Sequence, residues 1–266
     1  MTDRAALTFK LPDVVAVSGA SSGLGHELCR LLIGVGVQVI GVDIAKAQQD
    51  LAPLDGYSHV TGSVSSENTW AEVVTSIKDK SPESVGLVTS AAILDVGTIL
   101  DVTPADMTRA FDVNVVGTAL AIKAIMPLMI ERSGGPIVAV ASVDATFAEQ
   151  QLSVYAASKA AVRQLARTIA MDHARQGIRV NVLSPGPMLA GLFKRHLESA
   201  ADSERFLATR SARQPGGRIL EAREVAQAAM FLLSDGASAL NGADLIADGG
   251  LTTSFDFRTG AEGASV

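Results

Sequence analysis

Residues 14–25 read VVAVSGASSGLG, a β-branched run that passes directly into a glycine-rich turn. The run Val14–Ser18 predicts a buried strand, and leucines from Leu24 to Leu32 then recur at helical spacing on one face. Glycines between a strand and a helix let the backbone approach a pyrophosphate, and the free N–H groups at the helix start bind its charge. These residues therefore predict the first βαβ unit of a nucleotide-binding sheet.

The turn supplies the first candidate binding residues. Its spacing, G-x-x-x-G-x-G, differs from the commonest dinucleotide fingerprint, G-x-G-x-x-G. A glycine turn alone is weak evidence, since many tight turns have this composition, and its position between strand and helix is what favours a binding role. The candidate cofactor-binding residues of the turn are Gly19, Ser21, Ser22, Gly23, Leu24 and Gly25.

An acidic residue follows the second predicted strand, Val37–Val42. Asp43 lies about 20 residues beyond the turn, where dinucleotide sites place a carboxylate on the adenosine ribose. Such a carboxylate accepts hydrogen bonds from both ribose hydroxyls and repels a 2′-phosphate, so we expect NAD rather than NADP. Lys46 is the nearby cation that could weaken this preference, and an ordinary strand-end or helix-cap role for Asp43 is the alternative.

Strand and helix patterns alternate along the rest of the chain. The further predicted strands are Tyr57–Thr61, Val85–Thr89, Ile137–Ala141, Ile178–Leu183 and Ala243–Ala247, and the further predicted helices are Glu67–Lys80, Pro104–Arg132 with a kink at Pro127, Val154–Arg175 and Glu221–Leu233. This alternation predicts an α/β fold, a single Rossmann-type domain whose doubly wound parallel sheet has helices on both faces. We expect a core over about residues 11–250, a mobile substrate lid at 187–217 and a C-terminal tail at 251–266.

A possible catalytic group surrounds the fifth predicted strand. Ser142 follows that apolar strand, and Tyr155 and Lys159 share one face of the next helix because they are four residues apart. A phenol ionises near pH 10, and a neighbouring ammonium favours the phenolate and lowers that pKa. Tyr155 would then exchange a proton with an alcohol or ketone that the Ser142 hydroxyl also binds. The alternative is an ordinary surface Tyr–Lys pair on an amphipathic helix.

Composition limits the class of protein. The chain has 266 residues, is 48% hydrophobic and carries a formal net charge of −6, which fits one large α/β domain and argues against a nucleic-acid surface. Its four histidines lack metal-ligand spacing and Cys29 is the only cysteine, so we expect no metal site, no intrachain disulfide and a reducing compartment. We expect neither a secretory leader nor a membrane-spanning run, which predicts a soluble, cytoplasmic protein.

Taken together, these motifs resemble the short-chain dehydrogenase/reductase family over about residues 11–250. Four features in order carry the resemblance: the glycine turn, Asn114 in the long helix, Ser142 with the Tyr-x-x-x-Lys pair, and a Pro-Gly pair at 185–186 after the sixth strand. Each feature is weak alone, but their order and spacing are specific to this family.

The resemblance implies a role for each matching residue. Tyr155 would be the general acid/base, Lys159 would lower its pKa and bind the nicotinamide ribose, and Ser142 would orient the substrate carbonyl. Asn114 would hold a water that connects Lys159 to solvent. The remaining implied cofactor contacts are Val64 near the adenine and Pro185 and Gly186 along the nicotinamide. The family forms dimers and tetramers through its long helices, so we expect a homotetramer or a homodimer.

Several residues depart from the family pattern. Thr89-Ser90-Ala91-Ala92 stands where the family has N-N-A-G, and Ser18 replaces a threonine while keeping the hydroxyl. Ser63 replaces an aspartate near the adenine, and Ala190 replaces a threonine that contacts the carboxamide. The catalytic set is thus complete while the cofactor contacts are reduced, so we expect modest cofactor affinity.

The function that these features favour is NAD-dependent hydride transfer between a secondary alcohol or ketone and nicotinamide. One alternative is an NAD-binding sensor or scaffold with little turnover, which only the T-S-A-A stretch supports. Another is an NADP-dependent 3-oxoacyl reductase, against which Asp43 argues. The substrate and the physiological direction stay open. The residues expected to line the substrate pocket are Val143, Asp144, Thr146, Phe147, Gln150, Gln151, Leu152, Met188, Leu189, Leu192 and Phe193.

Overall fold

The computed structural model describes residues 8–253. Within them, seven strands form one parallel sheet in the order β3-β2-β1-β4-β5-β6-β7. The strands are β1 Val14–Ser18, β2 Gln38–Asp43, β3 Tyr57–Thr61, β4 Val85–Thr89, β5 Gly135–Val140, β6 Ile178–Pro185 and β7 Asp244–Ala247. The predicted fold class is confirmed, and β1, β3 and β4 have the predicted bounds.

Helices cover both faces of the sheet. They are α1 Gly23–Gly34, α2 Glu67–Asp79, α3 Pro104–Phe111, α4 Gly117–Ile130, α5 Ser153–His173, α6 Gly191–Ser199, α7 Ser203–Ala212 and α8 Ala222–Leu233. Residues 1–7 and 254–266 lie outside the described residues, and with them part of the stretch considered for a leader and most of the expected tail.

The winding of the sheet reverses between β1 and β4. β1 pairs with both β2 and β4, so that Val14 lies opposite Gln38 on one side and Val85 on the other. In doubly wound sheets, ligands bind in the crevice beyond the carboxyl ends of the strands at this reversal. Ser18 and Thr89, the last residues of the two strands, therefore mark the edge where a site is expected.

Alternate residues of the strands face two separate apolar cores. Val14 and Ala16 belong to a cluster with α2, α4 and α5, whereas Val15 and Val17 belong to a cluster with α1 and α8. This alternation follows from the period of two in a strand, and burial on both faces is why the strand is continuously apolar. Each fully buried aliphatic side chain contributes about 1.5–3 kcal/mol. Trp70, of α2, is the largest side chain in the first cluster.

The long helix expected over Pro104–Arg132 runs from Pro104 to Ile130 and contains one π-helical turn. A π-helical turn, Asp112–Val116, separates α3 from α4. Pro127 lies inside α4, and the helix continues past it to Ile130. Single π-helical turns inside helices arise where a polar group competes with the regular backbone pattern, and they recur at functional sites.

The stretch Pro104–Ile130 is long and apolar enough to cross a membrane by length and composition alone. Half of its most apolar window is buried inside the protein, where Ile122, Ile125 and Met129 pack in the first cluster. This is the pattern of a helix that covers a sheet in a protein core.

Residues 187–217 hold two short helices that the sequence pattern did not predict. α6 and α7 lie over the carboxyl ends of the strands, and the ring centroids of Phe193 and Phe206 are 5.8 Å apart between them. None of the described residues of α7 is fully buried, so the helix lacks the apolar stripe by which a surface helix is recognised in sequence.

Candidate active site

A cavity of about 1320 Å³ opens along the carboxyl ends of the strands. Most of the predicted site residues line it: Gly19, Ser21, Ser22, Gly23, Leu24, Asp43, Val64, Ser142, Tyr155, Lys159, Pro185 and Gly186. Gly25 and Asn114 do not line the cavity, but each packs against or hydrogen-bonds a residue that does. Residues separated by more than 160 positions thus meet in one space because parallel strands end at the same edge of the sheet.

The glycine turn is packed backbone to backbone on the end of β4. Gly19 has a φ of +74°, and a Cβ there would lie 2.9 Å from the amide nitrogen of Ala91. A Cβ on Gly25 would overlap the carbonyl oxygen of Gly19 and lie 2.8 Å from Ser90 Oγ. Ser22, the N-cap of α1, makes no side-chain capping bond. The first N–H groups of α1 therefore face the cavity edge without a capping side chain and suit an anion.

Asp43 is held in place at the end of β2 by two backbone donors. Its Oδ2 accepts a 3.0 Å hydrogen bond from the Ser21 amide, and its Oδ1 accepts one of 3.0 Å from the Ala45 amide. The carboxylate is thus tied to the glycine turn and still lines the cavity. Val64 lines the same end of the cavity, and its carbonyl accepts a 2.7 Å hydrogen bond from Trp70 Nε1.

Tyr155 and Lys159 are both buried on the cavity side of α5. Lys159 Nζ lies 5.9 Å from the centroid of the Tyr155 ring and donates a 2.8 Å hydrogen bond to the carbonyl of Val140. Burial lowers the pKa of Lys159 from 10.5 to about 8. Burial also raises the pKa of Tyr155, and the Asp144 carboxylate raises it further. In the chain alone this direction is opposite to the expected one, because desolvation and the Asp144 carboxylate dominate.

Asn114 is fully buried in the π-helical turn. Its Oδ1 accepts a 2.9 Å hydrogen bond from the Ile93 amide, and its Nδ2 donates to the Ile93 carbonyl at 3.0 Å and to Ser158 Oγ at 2.9 Å. Thr118 Oγ1 donates to the Asn114 carbonyl at 2.8 Å. The side chain therefore joins the segment after β4 to α5, one residue before Lys159. Both amide hydrogens of Asn114 are used in these bonds, and Oδ1 keeps one lone pair.

Ser142 shares a hydrogen bond with an acid that lines the same cavity. Its Oγ donates to Asp144 Oδ2 at 3.0 Å, and the Asp144 amide donates to Ser142 Oγ at 3.1 Å. A hydrogen bond from Ser142 acts to lower the pKa of Tyr155. Burial and the nearby Glu149 raise the pKa of Asp144 from 3.8 to about 6. The serine thus touches both the phenol and a carboxylate.

The departures from the family pattern have a structural account at the end of β4. Ser90 Oγ donates to the Ser18 carbonyl at 2.9 Å, and the Ala91 amide donates to Ser18 Oγ at 3.2 Å. These two bonds hold the ends of β1 and β4 together. The buried hydroxyl of Thr89 has no hydrogen-bond partner among the described residues.

Charged residues on and next to α6 and α7 complete the cavity wall, and no sequence motif had indicated them. Arg210 of α7 forms an ion pair with Glu149 in the loop before α5, and its guanidinium lies 5.2 Å from the Phe206 ring centroid. Arg195 and Arg213 also line the cavity. The Glu149–Arg210 pair spans 61 positions, so no local motif could reveal it. Of the expected pocket residues, Thr146 and Leu189 are absent from the lining.

The residues present fit a nicotinamide dinucleotide. The glycine turn brings bare backbone and the start of α1 to one end of the cavity, and Asp43 offers a carboxylate next to it. At the other end lie Lys159 and the Pro185–Gly186 pair, where a Cβ on Gly186 would lie 2.9 Å from Asp248 Cβ. Anion-binding N–H groups, a diol-binding acid and a ribose-binding ammonium are the groups that such a molecule needs.

The cavity thus combines residues that fit a dinucleotide with a buried group of three polar side chains, Ser142, Tyr155 and Lys159. That combination defines a dinucleotide-dependent oxidoreductase. Comparison with known sequences agrees, because a family model described as enoyl-(acyl carrier protein) reductase matches residues 19–252. The chain belongs to the short-chain dehydrogenase/reductase family.

Its relatives include dehydrogenases of different alcohols. The chain is 32% identical over 246 residues to a 2-(S)-hydroxypropyl-CoM dehydrogenase of Xanthobacter autotrophicus, covering 90% of this chain and 96% of the relative. It is 35% identical over 243 residues to an L-tagatose-forming galactitol 2-dehydrogenase of Cereibacter sphaeroides, covering 89% and 94%. The ligand-free aldohexose dehydrogenase of Thermoplasma acidophilum superimposes with a TM-score of 0.86 at 30% identity, over 94% of this chain and 98% of that chain. Oxidoreductase activity on CH–OH donors with a nicotinamide nucleotide is the common property.

Proposed function

We propose that this protein is an NAD-dependent dehydrogenase of secondary alcohols in which Tyr155 is the general acid/base. The observation that carries the proposal is that Tyr155, Lys159 and Ser142 line the same cavity as Asp43 and the glycine turn. When bound there, the nicotinamide supplies the hydride acceptor for the alcohol carbon, or the donor for the ketone.

The chain's own residues handle the proton. Ser142 Oγ and the Tyr155 hydroxyl both bind the reacting oxygen, and Tyr155 takes its proton during oxidation. The raised pKa of Tyr155 means that the phenolate needs help from a nearby positive charge. Lys159 is the buried cation beside it, and its lowered pKa of about 8 keeps it mainly protonated at neutral pH. Asn114 acts indirectly, because its bond to Ser158 fixes the turn of α5 that carries Lys159.

The choice of NAD rests on Asp43. Its carboxylate is fixed by the Ser21 and Ala45 amides and lines the cavity beside the turn, where a 2′-phosphate would meet a negative charge. The lysine expected to weaken the preference, Lys46, is not among the residues that line the cavity. The reduced contacts at Ser63 and Ala190 lower the affinity for the cofactor without changing this preference.

Substitution of Tyr155 tests the proposal. Tyr155→Phe removes the phenolic hydroxyl and keeps the ring, so oxidation of any accepted secondary alcohol, followed as NADH absorbance, should fall at least about 100-fold. NAD binding, followed by calorimetry, should be retained. The chain has one other tyrosine, Tyr57, whose hydroxyl bonds to His59 Nδ1 at 2.8 Å, and Tyr57→Phe is the matched control that should keep turnover. Unchanged turnover in Tyr155→Phe would refute the mechanism.

The assembly that we propose rests on exposed apolar side chains, and the location rests on the composition of the chain alone. Met107 and Phe111 of α3 and Phe147 before α5 are large apolar side chains with 37%, 37% and 43% exposure. Such side chains are favoured where a second copy covers them. We propose a cytoplasmic homodimer or homotetramer that buries this face, and analytical ultracentrifugation of the full chain measures its mass. A monomer at micromolar concentration would contradict this assembly.

A further inference from the structure

Asp144 is a carboxylate in the cavity wall that the proposed proton transfer does not use. It lies two residues after Ser142 in a short 3-10 turn, Val143–Ala145, and it lines the cavity. Its Oδ2 accepts the hydrogen bond from Ser142 Oγ, while its Oδ1 makes no hydrogen bond to any of residues 8–253. The neighbouring cation Arg210 is paired with Glu149 instead. Asp144 therefore has acceptor capacity beside the group that binds the reacting oxygen.

The spacing of these acceptors matches two neighbouring hydroxyl groups. Ser142 Oγ and Asp144 Oδ2 are 3.0 Å apart. In a staggered, gauche vicinal diol the two oxygens are also about 3 Å apart. When the Ser142 hydrogen turns from Asp144 Oδ2 to the reacting oxygen, the neighbouring hydroxyl can donate to that carboxylate in its place, each at an ordinary hydrogen-bond length of about 2.7 Å. A carboxylate that is partly withdrawn from water and has such a donor opposite it forms a strong hydrogen bond.

Charges around the cavity favour a neutral hydroxyl over a charged group at this position. An ammonium would also meet the guanidinium group of Arg210, whose charge acts on Asp144. A substrate carboxylate would meet Asp144 and Glu149. Burial and Glu149 raise the pKa of Asp144 to about 6, so the group is mostly an ionised acceptor at neutral pH.

We propose that Asp144 determines substrate specificity by accepting a hydrogen bond from a second hydroxyl, so that the substrate is a vicinal diol or polyol oxidised at one carbon. This inference rests on the proposed function, since it places the reacting oxygen on Ser142. A site built to bind a hydroxyl rejects analogues that lack it far more strongly than an apolar pocket rejects an added one.

The test compares diols with alcohols of the same shape. NADH formation is measured for cis- and trans-cyclohexane-1,2-diol against 2-methylcyclohexanol, and for butane-2,3-diol against 3-methylbutan-2-ol. In each pair a methyl group replaces the second hydroxyl. We expect kcat/KM of the wild-type protein to favour the diol at least about ten-fold in a pair that it accepts. Asp144→Ala and Asp144→Asn should bring the diol-to-methyl ratio of kcat/KM to within about three-fold of one. Only this ratio is compared, because Asp144 also contacts Ser142 and its loss changes both rates together.

Asp172→Asn, the same chemical change at an exposed position of α5, is the matched control and should keep the preference. Thermal unfolding of each variant verifies folding. If kcat/KM falls equally for the diol and the methyl alcohol in both Asp144 variants, Asp144 only orients Ser142. That result would overturn this inference and leave the proposed function standing. Two results with the wild-type protein would also overturn the inference: equal oxidation of both members of each pair, or a preference for trans-2-aminocyclohexanol over the diols. Turnover of no secondary alcohol would overturn the proposed function and the inference together.

Discussion

Lys159 Nζ donates a 2.8 Å hydrogen bond to the carbonyl oxygen of Val140, the last residue of β5. This bond joins the helix that carries the Tyr-x-x-x-Lys pair to the strand that carries Ser142. The ammonium is held 5.9 Å from the Tyr155 ring in a site where burial disfavours both charges. The position of Lys159 beside Tyr155 thus depends on the end of β5 as well as on the four-residue spacing that the sequence shows.

Removal of this ammonium should leave Tyr155 too weakly acidic. In Lys159→Met we expect kcat to fall at least about 100-fold. The pH at which the rate rises should also move upward, because burial raises the pKa of Tyr155 and no cation then opposes it. Lys123→Met is the matched control, since Lys123 is an exposed lysine of α4 paired with Glu67. Rate–pH profiles measure the effect, and a profile in Lys159→Met like that of the wild type would contradict the Tyr–Lys mechanism.

Neutralisation of Asp43 should change the choice of cofactor. Asp43→Asn keeps an acceptor for one of its two backbone donors and removes the charge that opposes a 2′-phosphate. We expect the Kd for NAD to rise about ten-fold, because a hydrogen bond to a charged group contributes about 1.5–3 kcal/mol. The ratio of the Kd for NADP to the Kd for NAD should fall. Calorimetry with both cofactors measures this. Asp50→Asn removes a nearby exposed acid that pairs with His26 and should leave the ratio unaltered. If the ratio of the two Kd values is also unaltered in Asp43→Asn, Asp43 does not determine the choice between NAD and NADP.

Two glycines of α1 should respond oppositely to the same substitution. A Cβ at Gly25 would overlap the Gly19 carbonyl, whereas a Cβ at Gly34 meets nothing within 4 Å. Gly34→Ala should therefore raise the free energy of unfolding by up to about 1 kcal/mol. Gly25→Ala should lower it by about 1–3 kcal/mol and weaken NAD binding, because the turn must move. Denaturant unfolding measures both, and a stable Gly25→Ala protein with wild-type affinity would show that the turn tolerates a side chain.

The buried carboxyl of Asp144 should make stability depend on pH. Its pKa is raised from 3.8 to about 6, so the folded protein binds this proton more tightly than the unfolded chain. The associated stability is present below pH 3.8 and is lost as the pH rises through about 6. Asn cannot ionise, so Asp144→Asn should gain stability relative to the wild type between pH 4 and pH 7. After allowance for partial exposure the gain is about 1–2 kcal/mol.

Denaturant unfolding at several pH values measures this gain. Glu149, Arg210 and Tyr155 also face Asp144, so the quantity to compare is the difference between variant and wild type at each pH. Asp172→Asn, on the exposed surface, should show a constant difference. A constant difference in Asp144→Asn would mean that its carboxyl titrates normally in the folded protein.

The fold was predictable because its signals are local. A buried parallel strand is apolar on both faces, so Val14–Ser18 and Val85–Thr89 stand out as continuous runs, and the helices between them repeat every three or four residues. The π-helical turn at Asp112–Val116 was not predictable, because its side-chain partners, Ile93 and Ser158, lie 21 and 44 positions from Asn114. Of the two helices over 187–217, α7 was missed because it has no apolar stripe.

By itself, the sequence determined the parallel α/β architecture, the glycine turn and the Tyr155–Lys159 spacing, because each depends on residues that are neighbours along the chain. Only the tertiary structure decided the electrostatics of the site. Burial of the Tyr155 phenol raises its pKa, and Lys159 donates to the Val140 carbonyl. Asp144 lies in contact with Ser142, near the ion pair of Glu149 and Arg210. Desolvation and charge pairing depend on everything that surrounds a group in space, and that surrounding comes from distant parts of the chain.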